Sequence, residues 1–196
     1  MPIYPDPTWN LDTAIFLGTV PASWNITALE QLHWITMDIQ GEISSVSRDA
    51  AALQNAWHLT WVPREASAHR MAFEVKDHFD TDAIEQRIPG NNHTYSIIDI
   101  PSGHILPWHR DYYNHHIKKY QIAEVNAGQV SRAVICLQNW TYGQIVQIGS
   151  EMLHHWRAGD VFGWPHAAWH GAANFGNHAM TFLQITYDNI SSSTSS

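Results

Sequence analysis

The residues whose types and spacing could do chemistry are His109-Arg110-Asp111 and, far downstream, His170 within Trp169-His170-Gly171-Ala172. Two imidazoles and one carboxylate can cap one face of a metal ion and leave the opposite positions open. That is the arrangement of mononuclear non-haem Fe(II) centres that activate oxygen. In an extended segment side chains alternate between faces, so His109 and Asp111 aim one way and Arg110 the other. His170 must be brought alongside on a distant strand. The same donors also suit Mn, Co, Ni and Zn, so ligand type alone does not select the metal. With 14 His in 196 residues an H-x-D spacing arises easily by chance, and its surroundings therefore carry the weight.

Those surroundings read as β-structure. Upstream, Tyr95 to Ile100 is an alternating strand, Pro101-Ser102-Gly103 a turn, and His104 to Asp111 a second extended piece that ends in the proposed ligands. Downstream, Gly159 to Gly176 reads as turn, strand, turn and a further strand carrying His170, and Met180 to Tyr187 is one more β-rich run. Trp108 and Trp169 each precede a proposed ligand, so in strands they point away from the metal and pack the wall behind it.

From about Tyr95 to Tyr187 the chain resembles the double-stranded β-helix core of the Fe(II)/2-oxoglutarate-dependent oxygenase superfamily, nearest the aspartyl/asparaginyl β-hydroxylase-like group. The resemblance rests on Pro101 to Asp111, the Arg132-Ala-Val-Ile-Cys-Leu137 strand, the Trp156-Arg-Ala-Gly-Asp160 turn and Trp169 to Gly176. It implies that His109, Asp111 and His170 bind Fe(II). It also implies that 2-oxoglutarate is decarboxylated to succinate and CO2 while an amino-acid, peptide or small-molecule substrate is hydroxylated. Members usually carry a basic residue shortly after the second histidine that pairs with the distal carboxylate of 2-oxoglutarate. Here Asn177 to Phe182 holds no Arg or Lys. Arg132, opening a strand to Gln138 with Val134 and Cys136 on its face, is the best substitute, because a guanidinium binds a carboxylate through paired hydrogen bonds. A surface Arg at a strand edge is the plain alternative, and Lys118, Lys119, Arg157 and His178 are weaker candidates.

The fold expected is mainly β: a jelly-roll or cupin-like double-stranded β-helix core with flanking N-terminal helices. One domain is expected over 1–190, with helical support over about 1–90 and the β core over about 91–188, and a disordered tail over 191–196. Thr27-Ala-Leu-Glu30 is a capping-box pattern for a helix starting near Ala28. Val46, Ala50, Leu53 and Trp57 recur at helical spacing, with Ser44 or Ser45 as cap. Met71, Phe73 and Val75 alternate as in a strand, although a helix is also compatible with 58–90. Asn114 to Gly128 reads as a polar loop, placed to act as a lid or substrate contact. Adjacent histidines, His115-His116 and His154-His155, point to opposite faces of an extended chain, which favours surface or supporting roles. Gly163, Pro165 and Gly171 argue against a helical zinc pair of His166 and His170.

Composition narrows the partners. The formal charge is −8 with 10 Lys plus Arg, which argues against nucleic acid. No stretch reads as a membrane span or signal peptide, and the single cysteine, Cys136, reads as a small buried hydrophobe. A cytoplasmic location is therefore expected, and the glycosylation-type triplets at Asn25, Asn92, Asn139 and Asn189 are read as chance matches. Walker A, G-x-G-x-x-G and G-x-S-x-G motifs are absent. Two rivals remain at this level. One is a cupin-like metal dioxygenase or isomerase that does not use 2-oxoglutarate; the other is a non-catalytic ligand-binding jelly roll.

Overall fold

The structure, a computed structural model, describes residues 13–37, 64–111, 113–166 and 168–190. The expected helix over Val46 to Trp57 and the expected disordered tail lie outside the described residues. In chain order the strands and helices are β1 (Ile15–Thr19), α1 (Ile26–Glu30), β2 (Ile35–Met37), β3 (His69–Phe73), α2 (Thr81–Arg87), β4 (Asn91–Ile100), β5 (His104–His109), α3 (Asn114–Lys119), β6 (Val130–Cys136), β7 (Gln144–Ile148), β8 (Glu151–Leu153), β9 (Asp160–Trp164), β10 (His170–Asn174) and β11 (Met180–Asp188).

The strands form two antiparallel sheets. One has seven strands in the order β1-β9-β6-β11-β4-β3-β2, the other four in the order β5-β10-β7-β8. From β4 onward the chain alternates between them, β4, β6, β9 and β11 in the large sheet and β5, β7, β8 and β10 in the small one. This winding is the jelly-roll barrel of a double-stranded β-helix.

The central strands are buried on both faces, which is why they read as nearly continuous apolar runs. Ile98 and Ile100 on β4, Val134 and Cys136 on β6, and Phe182 on β11 face the inside of the barrel with Leu106, Val146 and Ile148 from the small sheet. Their neighbours Ile97, Ile135, Leu183 and Ile185 form a second core on the outer face of the large sheet, with Leu29 of α1 and Ile84 of α2. The two short helices cover that face, and their caps keep them in place. Asp80 accepts from the Ala83 N–H at the start of α2, and Asn25 accepts from the Ala28 N–H at the start of α1. The cap of α1 is thus Asn25 rather than the expected Thr27, and the helix begins at Ile26. Before residue 91 the described segments also contribute β1, β2 and β3 to the large sheet, so helices are only part of that support.

The polar stretch expected as a loop contains α3 and a 3-10 turn over Glu124–Gln129. His116 accounts for the difference. It is 3 % exposed, its Nδ1 lies 3.1 Å from the Thr94 hydroxyl, and its Nε2 is 3.6 Å from Asp188, so one buried side chain docks an otherwise polar helix. Burial lowers the His116 pKa more than the Asp188 carboxylate raises it. The unfolded chain takes up this proton near the ordinary value of 6.5, whereas the folded chain does so only at lower pH. Stability is therefore expected to fall as pH drops below about 6.5. Urea unfolding of wild type and His116→Gln between neutral and mildly acidic pH checks this: the variant should show the shallower slope, and equal slopes would refute it.

Cys136 is 1 % exposed, and burial, with Asp160 adding to it, pushes its thiol well above the ordinary range. The native protein is expected to resist alkylation by iodoacetamide and to react stoichiometrically once unfolded in urea, as read by mass spectrometry.

Candidate metal centre

His109 is the last residue of β5 and His170 the first of β10, and the two are directly paired across the small sheet. Cross-strand partners share a face, and here their ring centroids are 4.2 Å apart. Gly171 permits this approach: a Cβ there would stand 3.1 Å from the Leu106 carbonyl oxygen and 3.2 Å from the Trp108 Cα. Asp111 follows β5 by two residues and points back at both rings. Its Oδ1 lies 3.7 Å from His109 Nε2 and its Oδ2 3.7 Å from His170 Nε2. One donor atom from each of the three falls within 4.8 Å of the others.

The tautomers follow from the backbone. His109 Nδ1 donates to the Pro107 carbonyl at 2.7 Å and His170 Nδ1 to the Ala168 carbonyl at 2.9 Å. A carbonyl oxygen can only accept, so each Nδ1 carries its proton, and each Nε2 is the ring atom turned toward Asp111 and the space between them. Burial, with the neighbouring His109 adding, lowers the His170 pKa to about 4 against the pull of Asp111, which keeps this imidazole neutral. For Asp111, burial alone would raise the carboxyl. Arg132, then His170 and His109, outweigh it and hold the carboxyl well below the usual carboxylate range. Two imidazole nitrogens and one ionised carboxylate fit a divalent cation of intermediate hardness.

Arg132 does not open its strand. β6 begins two residues earlier, at Val130, and is flanked by β9 and β11, so Arg132 lies inside the large sheet rather than at an edge. Its Nη2 donates to Asp111 Oδ2 at 2.8 Å, and its guanidinium sits 5.2 Å from the Tyr113 ring centroid. Among the described residues its Nε is buried without a hydrogen-bond partner, and so are the Tyr113 hydroxyl, Trp164 Nε1 and His166 Nδ1. Trp164 is the cross-strand partner of Arg132, its ring is 5.1 Å from that of His170, and the His166 ring is 5.5 Å from that of Tyr113. Tyr113 adopts the left-handed backbone at φ 53, a costly conformation for a bulky residue and one that clusters at functional sites. These side chains make the surroundings of Arg132 and Asp111 polar as well as aromatic.

Sequence reasoning missed Tyr113 and Trp164, and it weighed His166 only as a helical zinc partner of His170. Tyr113 continues the two-residue spacing of His109 and Asp111, a signal available in the sequence. Trp164 and His166 depend on the β6–β9 pairing and have no local signature. The weaker cations do not join the site: Lys118 and Lys119 are exposed on α3, and Arg157 and His178 are exposed in turns at the far end of the barrel. Trp108 and Trp169 stack at 6.3 Å with 10° between planes, and Arg110 lies 4.7 Å from the Trp169 ring centroid, so this side forms the expected wall. His154 and His155 are exposed, but not opposed as expected. His155 at φ 58 turns the two rings together, with centroids 4.6 Å apart.

Fold and site together define a jelly-roll barrel with a candidate three-donor metal centre. No family model matches the chain, and no curated protein matches it. Among solved structures it is similar to a predicted oxalate decarboxylase from Thermotoga maritima, at 14 % identity over 62 % of this chain and 81 % of that one, TM-score 0.39. It is similar to the Schizosaccharomyces pombe Cnp3 cupin domain, at 12 % identity over 62 % and 61 %, TM-score 0.39. It is also similar to a cupin domain from Bordetella pertussis, at 16 % identity over 52 % and 86 %, TM-score 0.35. The strand order and register define the barrel without them. Among the described residues no helix is long and apolar enough to cross a membrane.

Proposed function

We propose that this protein is a mononuclear Fe(II)- and 2-oxoglutarate-dependent dioxygenase that hydroxylates an amino-acid, peptide or small-molecule substrate. The observation that carries the reading is the convergence of His109, Asp111 and His170, with both Nδ1 atoms tied to backbone carbonyls and both Nε2 atoms facing the carboxylate. These three residues would hold the metal. When bound, Fe(II) with 2-oxoglutarate supplies oxidising power for C–H hydroxylation, with succinate and CO2 as co-products. The chain's own part is to orient and to exclude water. Arg132 fixes Asp111 through Nη2, and its guanidinium, beside Tyr113, would supply charge for a carboxylate. An anionic protein with few basic residues suits a small or peptide substrate rather than nucleic acid, and a buried unpaired cysteine suits a cytoplasmic setting.

A second reading has its own support. One arm of Arg132 is already committed to Asp111. That favours a cupin-like metal dioxygenase or isomerase that does not use 2-oxoglutarate. Adding Fe(II) anaerobically to metal-free protein, then 2-oxoglutarate, separates the readings. A visible charge-transfer band that needs both additions is the expected result. Iron binding without the band would favour the second reading, and no iron binding would leave a ligand-binding jelly roll.

A further inference from the structure

Behind His170 the two sheets do not close completely. A cavity of about 30 Å³ lies between them, walled by Ile98, Val134 and Phe182 of the large sheet and Leu106, Val146 and Ala172 of the small one. His170 and Trp164 belong to the same wall, so the cavity adjoins the candidate metal centre. Its surface is almost entirely carbon. Of the polar groups nearest it, His170 Nδ1 is engaged on the Ala168 carbonyl and the Gln184 side-chain oxygen with the Ser96 hydroxyl, which leaves Trp164 Nε1 as a buried donor without a partner, short of the roughly two to four that a water needs.

Size and chemistry restrict the guest. A water needs roughly 10–15 Å³ of such space and two to four polar partners. The space here exceeds that for one water, but the wall does not provide the partners. A space of this volume suits a guest of a few heavy atoms, and its carbon walls suit an apolar one.

We propose that this cavity is a holding site for dioxygen beside the metal centre, supplying it from within the barrel. The proposal rests on the oxygenase reading, since only an oxygen-consuming centre gives such a site a purpose. An apolar pocket concentrates dioxygen relative to water and excludes solvent from the reacting metal.

Xenon, apolar and monatomic, probes the cavity without any turnover. Crystals of the metal-free protein pressurised with xenon should show it between Val134, Val146 and Phe182. The filled variants Val146→Ile and Ala172→Val should lose it; two are used because either could be accommodated by local shifts. Each variant should bind Fe(II) as wild type does. Once loaded anaerobically with Fe(II) and 2-oxoglutarate, each should be oxidised severalfold more slowly at low dioxygen, read by decay of the charge-transfer band. Xenon in the wild-type cavity together with slower oxidation of the filled variants would support the proposal. Absence of xenon, ordered water in its place, or unchanged oxidation in both variants would overturn it. Failure of the oxygenase reading shows separately, as absence of the charge-transfer band in wild type.

Discussion

Replacing His170 with alanine is expected to lower Fe(II) affinity by more than roughly 100-fold, beyond the loss that follows removal of a supporting partner of a metal ligand. His170 is 5 % exposed, is held by the Ala168 carbonyl, and presents its Nε2 to Asp111. No neighbour replaces it: His166 lies on the Tyr113 side of the site, and His109 already supplies the opposing ring. The barrel should survive, because the strands around this position are held by the ladders of β10 with β5 and β7. Anaerobic Fe(II) titration, with far-ultraviolet circular dichroism as the folding control, measures both. An affinity within a few-fold of wild type in a folded variant would remove His170 from the ligand set. His109→Ala should behave alike, because the two histidines have equivalent geometry.

Arg132→Met is expected to destabilise the metal-free protein by about 3 kcal/mol, the cost of leaving a largely buried carboxylate without its cation. The Arg132 side chain is 13 % exposed and that of Asp111 23 %, so solvent screens the pair only in part. Methionine keeps much of the volume, which separates loss of charge from loss of packing. The double variant Arg132→Met/Asp111→Leu should recover most of the loss, since removing both charges avoids the unpaired one. Urea unfolding at neutral pH of wild type, both single variants and the double variant gives the coupling directly. If Arg132→Met costs less than about 1 kcal/mol, the contact is no stronger than an exposed surface pair. Arg132→Met should also weaken Fe(II) binding, because Asp111 loses the hydrogen bond that orients it.

Much of this protein could be read locally. The alternation around Tyr95 to Ile100 and Met180 to Tyr187, and the His109–Asp111 spacing, depend on strand geometry that repeats every two residues, so sequence alone carries them. Asn25 was harder to find because two overlapping cap patterns, at Asn25 and Thr27, compete within one short helix. The exposed-loop expectation for Asn114 to Gly128 failed because α3 is docked by His116 against Thr94 and Asp188, partners more than 20 and 70 residues away in sequence. His154 and His155 come together because of a left-handed residue that no local pattern announced.

By itself, then, the sequence determined the two-residue spacing of His109 and Asp111, the β character of the core, and the small buried hydrophobe at Cys136. Only the tertiary structure decided that His170 stands opposite His109, that Arg132 spends one arm on Asp111, and that Tyr113 and Trp164 stand next to Arg132. The physical reason is that alternation along a strand is set by its own backbone, whereas pairing between β5 and β10, or β6 and β9, is set by which apolar faces can be buried together.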